Sequence, residues 1–300
     1  PSLRSGLLRD CIYAGVNSNM GLRMRIPLLL RLSSLLLRPR HNDFAQCSLD
    51  SSQFDGLITF VDPCVPMKWG DISCIRAALA GLEKLLSLGH FDWCFLISGS
   101  TYPVKGREHF EKRLAASDCD AFIHCEEVPA QPVRDSRYTH WEQIQSRYMR
   151  HRVTIPAFDA QGKIRRSYRF LRMTRFSKLL LPYGSNCSLH SGGFWFAGNM
   201  HVVKSLLQAP DRFQRLYRHA HTTPIPEEMF FHTVIANTAN LAWQNDDLHF
   251  ISWPGMTSNP RFLTMHDLPD ISKSNALWAR KIRDGEDDGL LDSLDQIVFH

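Results

Sequence analysis

Two adjacent carboxylates, Glu227 and Glu228, open the apolar run in PIPEEMFFHTVIAN, which spans Pro224–Asn237. Proline suits the first turn of a helix, and carboxylates are favoured there by the exposed amides. Phe230, Phe231, Val234 and Ile235 follow at spacings that give a helix one buried face. A carboxylate held at the mouth of such a helix can cap it or can take a proton from a reacting hydroxyl.

A second chemistry-bearing stretch is ISGSTYPVK. It follows a strand-like run, and open α/β sheets bind ligands outside the carboxyl ends of their strands. Ser98, Ser100, Thr101 and Tyr102 supply hydroxyls for sugar or phosphate oxygens, and Gly99 lets the chain turn. A plain strand-to-loop turn explains the same residues. The chain has no P-loop, GxGxxG, GxSxG or HExxH segment, which lowers the nucleotide-hydrolase, dehydrogenase and serine-hydrolase readings. None of the eight cysteines forms a CxxC pair or a zinc-like cluster. Asp118-Cys119-Asp120 is formally Asp-x-Asp, but it precedes an apolar run and reads as a turn.

The elements that must position these residues read as an α/β fold. GLITFVD, WCFLIS and AFIHC are short apolar runs suited to a parallel sheet covered on both faces. Between the first two, Ile75, Ala78, Leu79, Leu82, Leu85 and Leu86 form a helical stripe that Asp71 or Ser73 can cap. Phe194-Trp195-Phe196-Ala197 and DLHFISW read as further strands, and His201–Leu207 as a helix. The 300 residues are 44% hydrophobic and 22% charged, with a formal charge of +5. An anionic ligand fits that balance, and a nucleic-acid partner is not required. Ten Arg or Lys residues and one acid lie between Arg147 and Lys178. This basic segment reads as a solvated surface helix or loop, an anionic-lipid or phosphate contact, or an RNA contact. IPLLLRLSSLLLRPR is too short to span a bilayer and reads as a buried or surface-lying helix. Asn186-Cys187-Ser188 is a glycosylation sequon if the chain enters a secretory lumen.

Four blocks, in order, resemble the core-2/I-branching enzyme family of inverting glycosyltransferases: KWGDISCIRAALAGLEKLL, FDWCFLISGSTYPVKG, LHSGGFWFAGNM and PEEMFFHTVIANT. The layout of DLHFISWPGMTSNPRFLTMHDLPDISKSNALWARKI follows the family's C-terminal part, so the likeness covers about residues 68–282. The resemblance implies a GT-A-like, Rossmann-type mixed sheet flanked by helices, in a glycosyltransferase-like domain over 56–300 with a basic insertion around 130–185. It implies a UDP-sugar donor, of GlcNAc or xylose type, a glycan, protein or polysaccharide acceptor, and no metal or other cofactor. The family's base falls on Glu228. Its diphosphate-binding lysine falls on Lys281, with Arg261 a looser match, and Ser98 and Gly99 lie where the donor would. Trp69, Tyr102, Trp195 and Glu227 fall on the acceptor side. Family members open with a strand and a "HxD" type segment, which residues 1–55 do not display, so an incomplete or diverged N-terminal segment is expected. That gap, with Gly198-Asn199-Met200 replacing the usual Ser-Arg-Asp, leaves a second class open: a non-catalytic carbohydrate-binding or scaffolding protein. The family's setting implies a Golgi or other membrane association in a eukaryote and the cytoplasmic membrane face in a bacterium, and the charge of segment 147–178 allows a peripheral membrane contact there.

Overall fold

The computed structural model describes residues 11–17, 39–42, 59–129, 139–149, 152–158, 164–170, 181–184, 186–254, 259–283 and 285–299. A seven-stranded sheet organises the fold. Its strands are β1 (Cys11–Asn17), β2 (Pro39–Asn42), β3 (Thr59–Phe60), β4 (Trp93–Ser98), β6 (Ala121–Ile123), β11 (Phe196–Asn199) and β12 (Trp243–Gln244). Between them in sequence lie β5 (Tyr102–Pro103), β7 (Glu126–Glu127), β8 (Arg152–Phe158), β9 (Ile164–Phe170) and β10 (His190–Ser191). After β12 come β13 (His249–Ile251) and β14 (Trp278–Arg280).

The spatial order is β12-β6-β11-β4-β1-β2-β3. β1 runs parallel to β2 and β4, and β2 to β3, while β11 is antiparallel to both β4 and β6. The sheet is therefore mixed, as the resemblance implies, and not wholly parallel as the apolar runs alone suggest, because β11 inserts antiparallel between β4 and β6. Within the N-terminal segment expected to be incomplete or diverged, β1 lies in the middle of the sheet with Val16 opposite Ser98. Chain order reverses between β1 and β4, and both strands end on the same edge. That is the switch point at which α/β sheets take ligands. Most of IPLLLRLSSLLLRPR lies outside the described residues, and its last two residues open β2.

Consecutive residues Trp93–Leu96 are buried, as are all of β6 and the first three residues of β11, because helices cover both faces. α1 (Ile72–Ser87) lays Ile75, Ala78, Leu82 and Leu85 on the sheet, and the Asp71 carboxylate caps it by accepting from the Ser73 amide at 3.0 Å. α2 (Arg107–Ala115) contributes Phe110, which meets Phe95 and Trp278 edge-on. α3 is Thr139–Tyr148, α4 is Met200–Leu207, α5 is Ala209–Arg212 and α6 is Gln214–Ala220. α7 (Glu227–Ala236) is buried nearly all round, α8 is Leu268–Lys273 and α9 is Asp288–Phe299.

The basic middle is more regular than a surface helix or loop: β8 and β9 form an antiparallel hairpin with Arg152 opposite Phe170. No helix among the described residues is long and apolar enough to cross a membrane. Cys74, Cys94 and Cys125 are buried as small apolar groups, and burial pushes the Cys74 and Cys125 thiols up to about 12.

Candidate active site

α7 starts directly after Pro226, and its first turn is set from outside the helix. The Gly192 amide and the Ser191 hydroxyl both donate to the Glu228 carbonyl, at 3.0 and 2.9 Å. Gly192 is required by this approach, since a Cβ there would lie 1.7 Å from the His124 carbonyl oxygen. Further along, Thr233 exchanges bonds with the backbone of His190 at 3.1 Å in each direction. Upstream, Ile225 holds a φ of 50°, an unusual conformation for a β-branched residue. Two bonds keep it there: the Ile225 amide donates to the Gly70 carbonyl at 2.9 Å, and the Tyr148 hydroxyl donates to the Ile225 carbonyl at 3.0 Å. Such local strain persists only where the surroundings over-determine it, and it is frequent at functional sites.

The two glutamates then diverge. Glu227 is 5% exposed, and its Oε2 is buried with no hydrogen-bond partner among the described residues. Burial, with Glu228 and Asp71 nearby, pushes its carboxyl up to about 8, although its own backbone amide opposes the shift. It faces inward and is nearly closed to solvent, so the acceptor-side role expected for it does not fit its burial. The Glu228 side chain is 40% exposed and takes a bond from Arg147 Nη1 at 3.2 Å. Burial raises its pKa, and Arg147 and Arg280 pull it back. The helix mouth thus yields a carboxylate more basic than an exposed one, and one that solvent can reach.

Arg147 is aimed by its neighbour. Tyr148 is fully buried and pinned to Ile225, and its carbonyl meets His219 Nε2 at 2.8 Å. The basic segment therefore begins with a residue committed to the site and not to a surface. Opposite, Arg280 ends β14, with its guanidinium 4.8 Å above the Trp195 ring. Trp195 is 8% exposed and packs in the main core, so it acts as a platform for Arg280 and offers no open face to an acceptor. Asp247 takes the His249 amide at 3.1 Å, and burial raises its pKa against the pull of Arg280. His249 and His232 are buried, and burial pushes both down to about 3, so neither supplies positive charge near neutral pH.

The other expected residues separate. Lys281 follows Arg280, and the next residue ties the strand to the switch-point loop, where the Ile282 amide donates to the Ser100 carbonyl at 2.9 Å. Burial and Arg280 lower the Lys281 pKa. Ser98 Oγ lies 3.0 Å from both Ser100 Oγ and Thr101 Oγ1, so its bonds are made within the loop, and Gly99 forms the turn. The Tyr102 hydroxyl donates to Asp295 of α9, so it is committed to the C-terminal helix and not to an acceptor. Arg261 grips both oxygens of the buried Asp267, which removes its fork from a diphosphate. Trp69 is 72% exposed beside Gly70, whose carbonyl holds Ile225, so it stands at the rim of the helix mouth. Asp120 ties strands together by accepting from Asn199 Nδ2 at 2.6 Å and the Ala242 amide at 2.9 Å. Among the described residues, no three His, Cys, Asp or Glu side chains converge as a metal site.

Residues 59–273 match the core-2/I-branching enzyme family. The chain belongs to that family. It is 34% identical over 117 residues to β-glucuronosyltransferase GlcAT14A of Arabidopsis thaliana and 35% identical to GlcAT14B over the same length. Each match covers 37% of this chain and 26% of the relative, so the match spans about a quarter of those proteins. A solved 4-diphosphocytidyl-2C-methyl-D-erythritol synthase from Anaerococcus prevotii covers 66% of this chain and 74% of its own, at 14% identity and a TM-score of 0.28. For site residues, the sequence of this family member pointed to Glu228, and it did not point to Arg147 and Arg280, whose charges act on Glu228, or to Asp247 beside Arg280. The signal for Arg280 was present, since it stands immediately before Lys281 in NALWARKI. Arg147 was hidden in the basic run.

Proposed function

We propose that this chain is a glycosyltransferase domain that moves a sugar, with inversion, from a nucleotide-diphosphate donor to an acceptor hydroxyl. One observation carries the reading: a reachable carboxylate, Glu228, clamped by Arg147 at the start of a buried helix. In that role Glu228 takes the proton of the acceptor hydroxyl as its oxygen attacks the anomeric carbon. The bond from that carbon to the diphosphate oxygen breaks on the opposite face. Lys281, beside the switch-point loop, neutralises the departing charge. The Ser98–Gly99 turn borders the donor, and Trp69 borders the acceptor. The donor is a UDP-sugar, and basic side chains do the work that a metal does in other transferases. GlcNAc and xylose are the sugars of the family resemblance, and the names of the Arabidopsis relatives add glucuronic acid as a third.

The test is turnover of Glu228→Gln, which keeps shape and hydrogen bonding but removes basicity. Turnover should fall by roughly 10²–10⁴, while UDP affinity and melting temperature stay near parental values. Parental turnover in that variant rejects the mechanism. Failure of the parent protein to bind UDP at millimolar concentration supports the carbohydrate-binding alternative instead.

A further inference from the structure

We propose that Asn186 is a modification site, the attachment point of an N-linked oligosaccharide added to the chain before it folds. The inference does not rest on the glycosyltransferase reading. Asn186-Cys187-Ser188 is the single Asn-x-Ser/Thr sequon in the 300 residues. The Gly184 amide donates to the Cys187 carbonyl at 3.0 Å, and the Cys187 amide donates to the Gly184 carbonyl at 3.2 Å. These bonds close a tight turn with Asn186 exposed on it. Among the described residues, no hydrogen bond engages the Asn186 side chain. Asn199, Asn237 and Asn245, by contrast, spend their amide groups inside the fold, on Asp120, on Ser188 and on the Cys125 amide. A turn favours asparagine for its own sake, but that preference asks nothing of the residue two places on.

The folded chain has room for the product but hides the signal. Ser188 is fastened to Asn237, just past the C-terminus of α7: its amide donates to Asn237 Oδ1 at 2.9 Å, and Asn237 Nδ2 donates to its carbonyl at 2.8 Å. The turn therefore stands at the far end of α7 from Glu228, about 13 Å along the helix axis. A bulky glycan there leaves the helix mouth open. The Ser188 hydroxyl, which completes the sequon, is half-buried and lies 3.0 Å from His190 Nε2. An enzyme that reads the sequon must break these bonds and lift the segment off α7, whereas a nascent chain offers it freely. The donor is a lipid-linked oligosaccharide diphosphate. Asn186 Nδ2 bonds to the anomeric carbon of its first sugar, the bond from that carbon to the diphosphate oxygen breaks, the lipid diphosphate leaves, and the amide gives up one proton.

The experiment is synthesis of the full chain, behind a secretory leader, into microsomes that hold the oligosaccharide donor, followed by glycosidase digestion and peptide mass spectrometry. The parent and Ser188→Thr should each give one slower-migrating band that the glycosidase collapses, leaving an aspartate at position 186. Asn186→Gln and Ser188→Ala should lack that band. Because the sequon is read before folding, a Ser188→Ala chain that misfolds still reports on it. An unshifted parent beside a modified control glycoprotein overturns the site, and so does a shift that survives in Asn186→Gln. For the timing, the folded chain made without glycans and a synthetic peptide of residues 181–191 are each given the solubilised transferase and its donor. The peptide should be modified roughly 10-fold faster or more, the factor that one or two broken hydrogen bonds supply. Equal rates overturn the order of modification and folding. UDP binding and sugar transfer enter none of these readouts, so this inference and the glycosyltransferase reading fail separately.

Discussion

The Ser98–Tyr102 loop and the helix mouth at 225–228 are both rich in polar groups, yet they spend them differently. In the loop, the hydroxyls of Ser98, Ser100 and Thr101 bond one another, and the Tyr102 hydroxyl bonds Asp295. Around the mouth, Glu228 keeps a 40% exposed side chain, Glu227 Oε2 is buried without a partner among the described residues, and so is Arg280 Nε. Buried polar groups are normally satisfied, so satisfied ones hold the fold and unsatisfied ones point to a ligand or a shifted proton. By that criterion the loop builds the crevice edge, and the mouth is where the proposed chemistry would take place.

The largest effect should be the loss of turnover in Glu228→Gln. The neighbouring Glu227→Gln change tests the same contrast through stability. The folded Glu227 carboxyl titrates at about 8, against 4.5 for an unperturbed one. Between those values the folded protein holds a proton that the unfolded chain has released. Stability should therefore fall as pH rises from about 4.5 to about 8 and then level off. Gln mimics the protonated form, so the variant should lose that slope and outlast the parent at pH 9, by a few kcal/mol on the scale of such shifts. Melting temperatures across that range decide it, and parallel slopes in both proteins would show Glu227 ionised inside the fold.

A smaller effect should follow Arg261→Met. Burial would raise the Asp267 pKa, but the Arg261 fork and the Thr264 amide hold it below the usual range. Removing the fork leaves a buried carboxylate with the Thr264 bonds, at a cost of about 1–3 kcal/mol. Chemical denaturation should detect this loss, while UDP affinity stays put. A clear drop in UDP affinity with stability intact would return Arg261 to the diphosphate.

How much of this was legible in the sequence follows from which signals are local. WCFLIS became β4 residue for residue, the Asp71 cap formed, and the stripe at Ile75, Ala78, Leu82 and Leu85 is buried, because periodicity and capping are short-range. The place of Glu228 in the first turn of a helix was legible from the proline before it and the apolar run after it. The commitment of Arg261 to Asp267 was not, although the two are six residues apart, because a charge pattern does not say which partner a fork chooses. Arg280 on Trp195 joins residues 85 apart in sequence, and Arg147 on Glu228 joins helices through residues 81 apart. Only the sheet topology brings such pairs together. β1 escaped notice for a related reason: CIYAGVN is a single short run whose place is fixed by pairing with β2 and β4.

The smallest expected effect is the sharpest test of the comparison. Ser98 stands at the end of β4, opposite Val16 of β1, where a donor would pass. If its hydroxyl served the donor, Ser98→Ala would raise the KM for UDP-sugar and leave folding alone. Its Oγ instead lies 3.0 Å from Ser100 Oγ and from Thr101 Oγ1, and those residues are 8% and 6% exposed. Removing it takes away two neutral hydrogen bonds within a nearly dry loop, at a net cost of about 0.5–1.5 kcal/mol each. The expected variant is thus slightly less stable, with parental KM for donor and parental kcat. Denaturation midpoints and steady-state kinetics on one preparation separate the outcomes. A raised KM at unchanged stability would move the hydroxyl loop from crevice edge to donor contact.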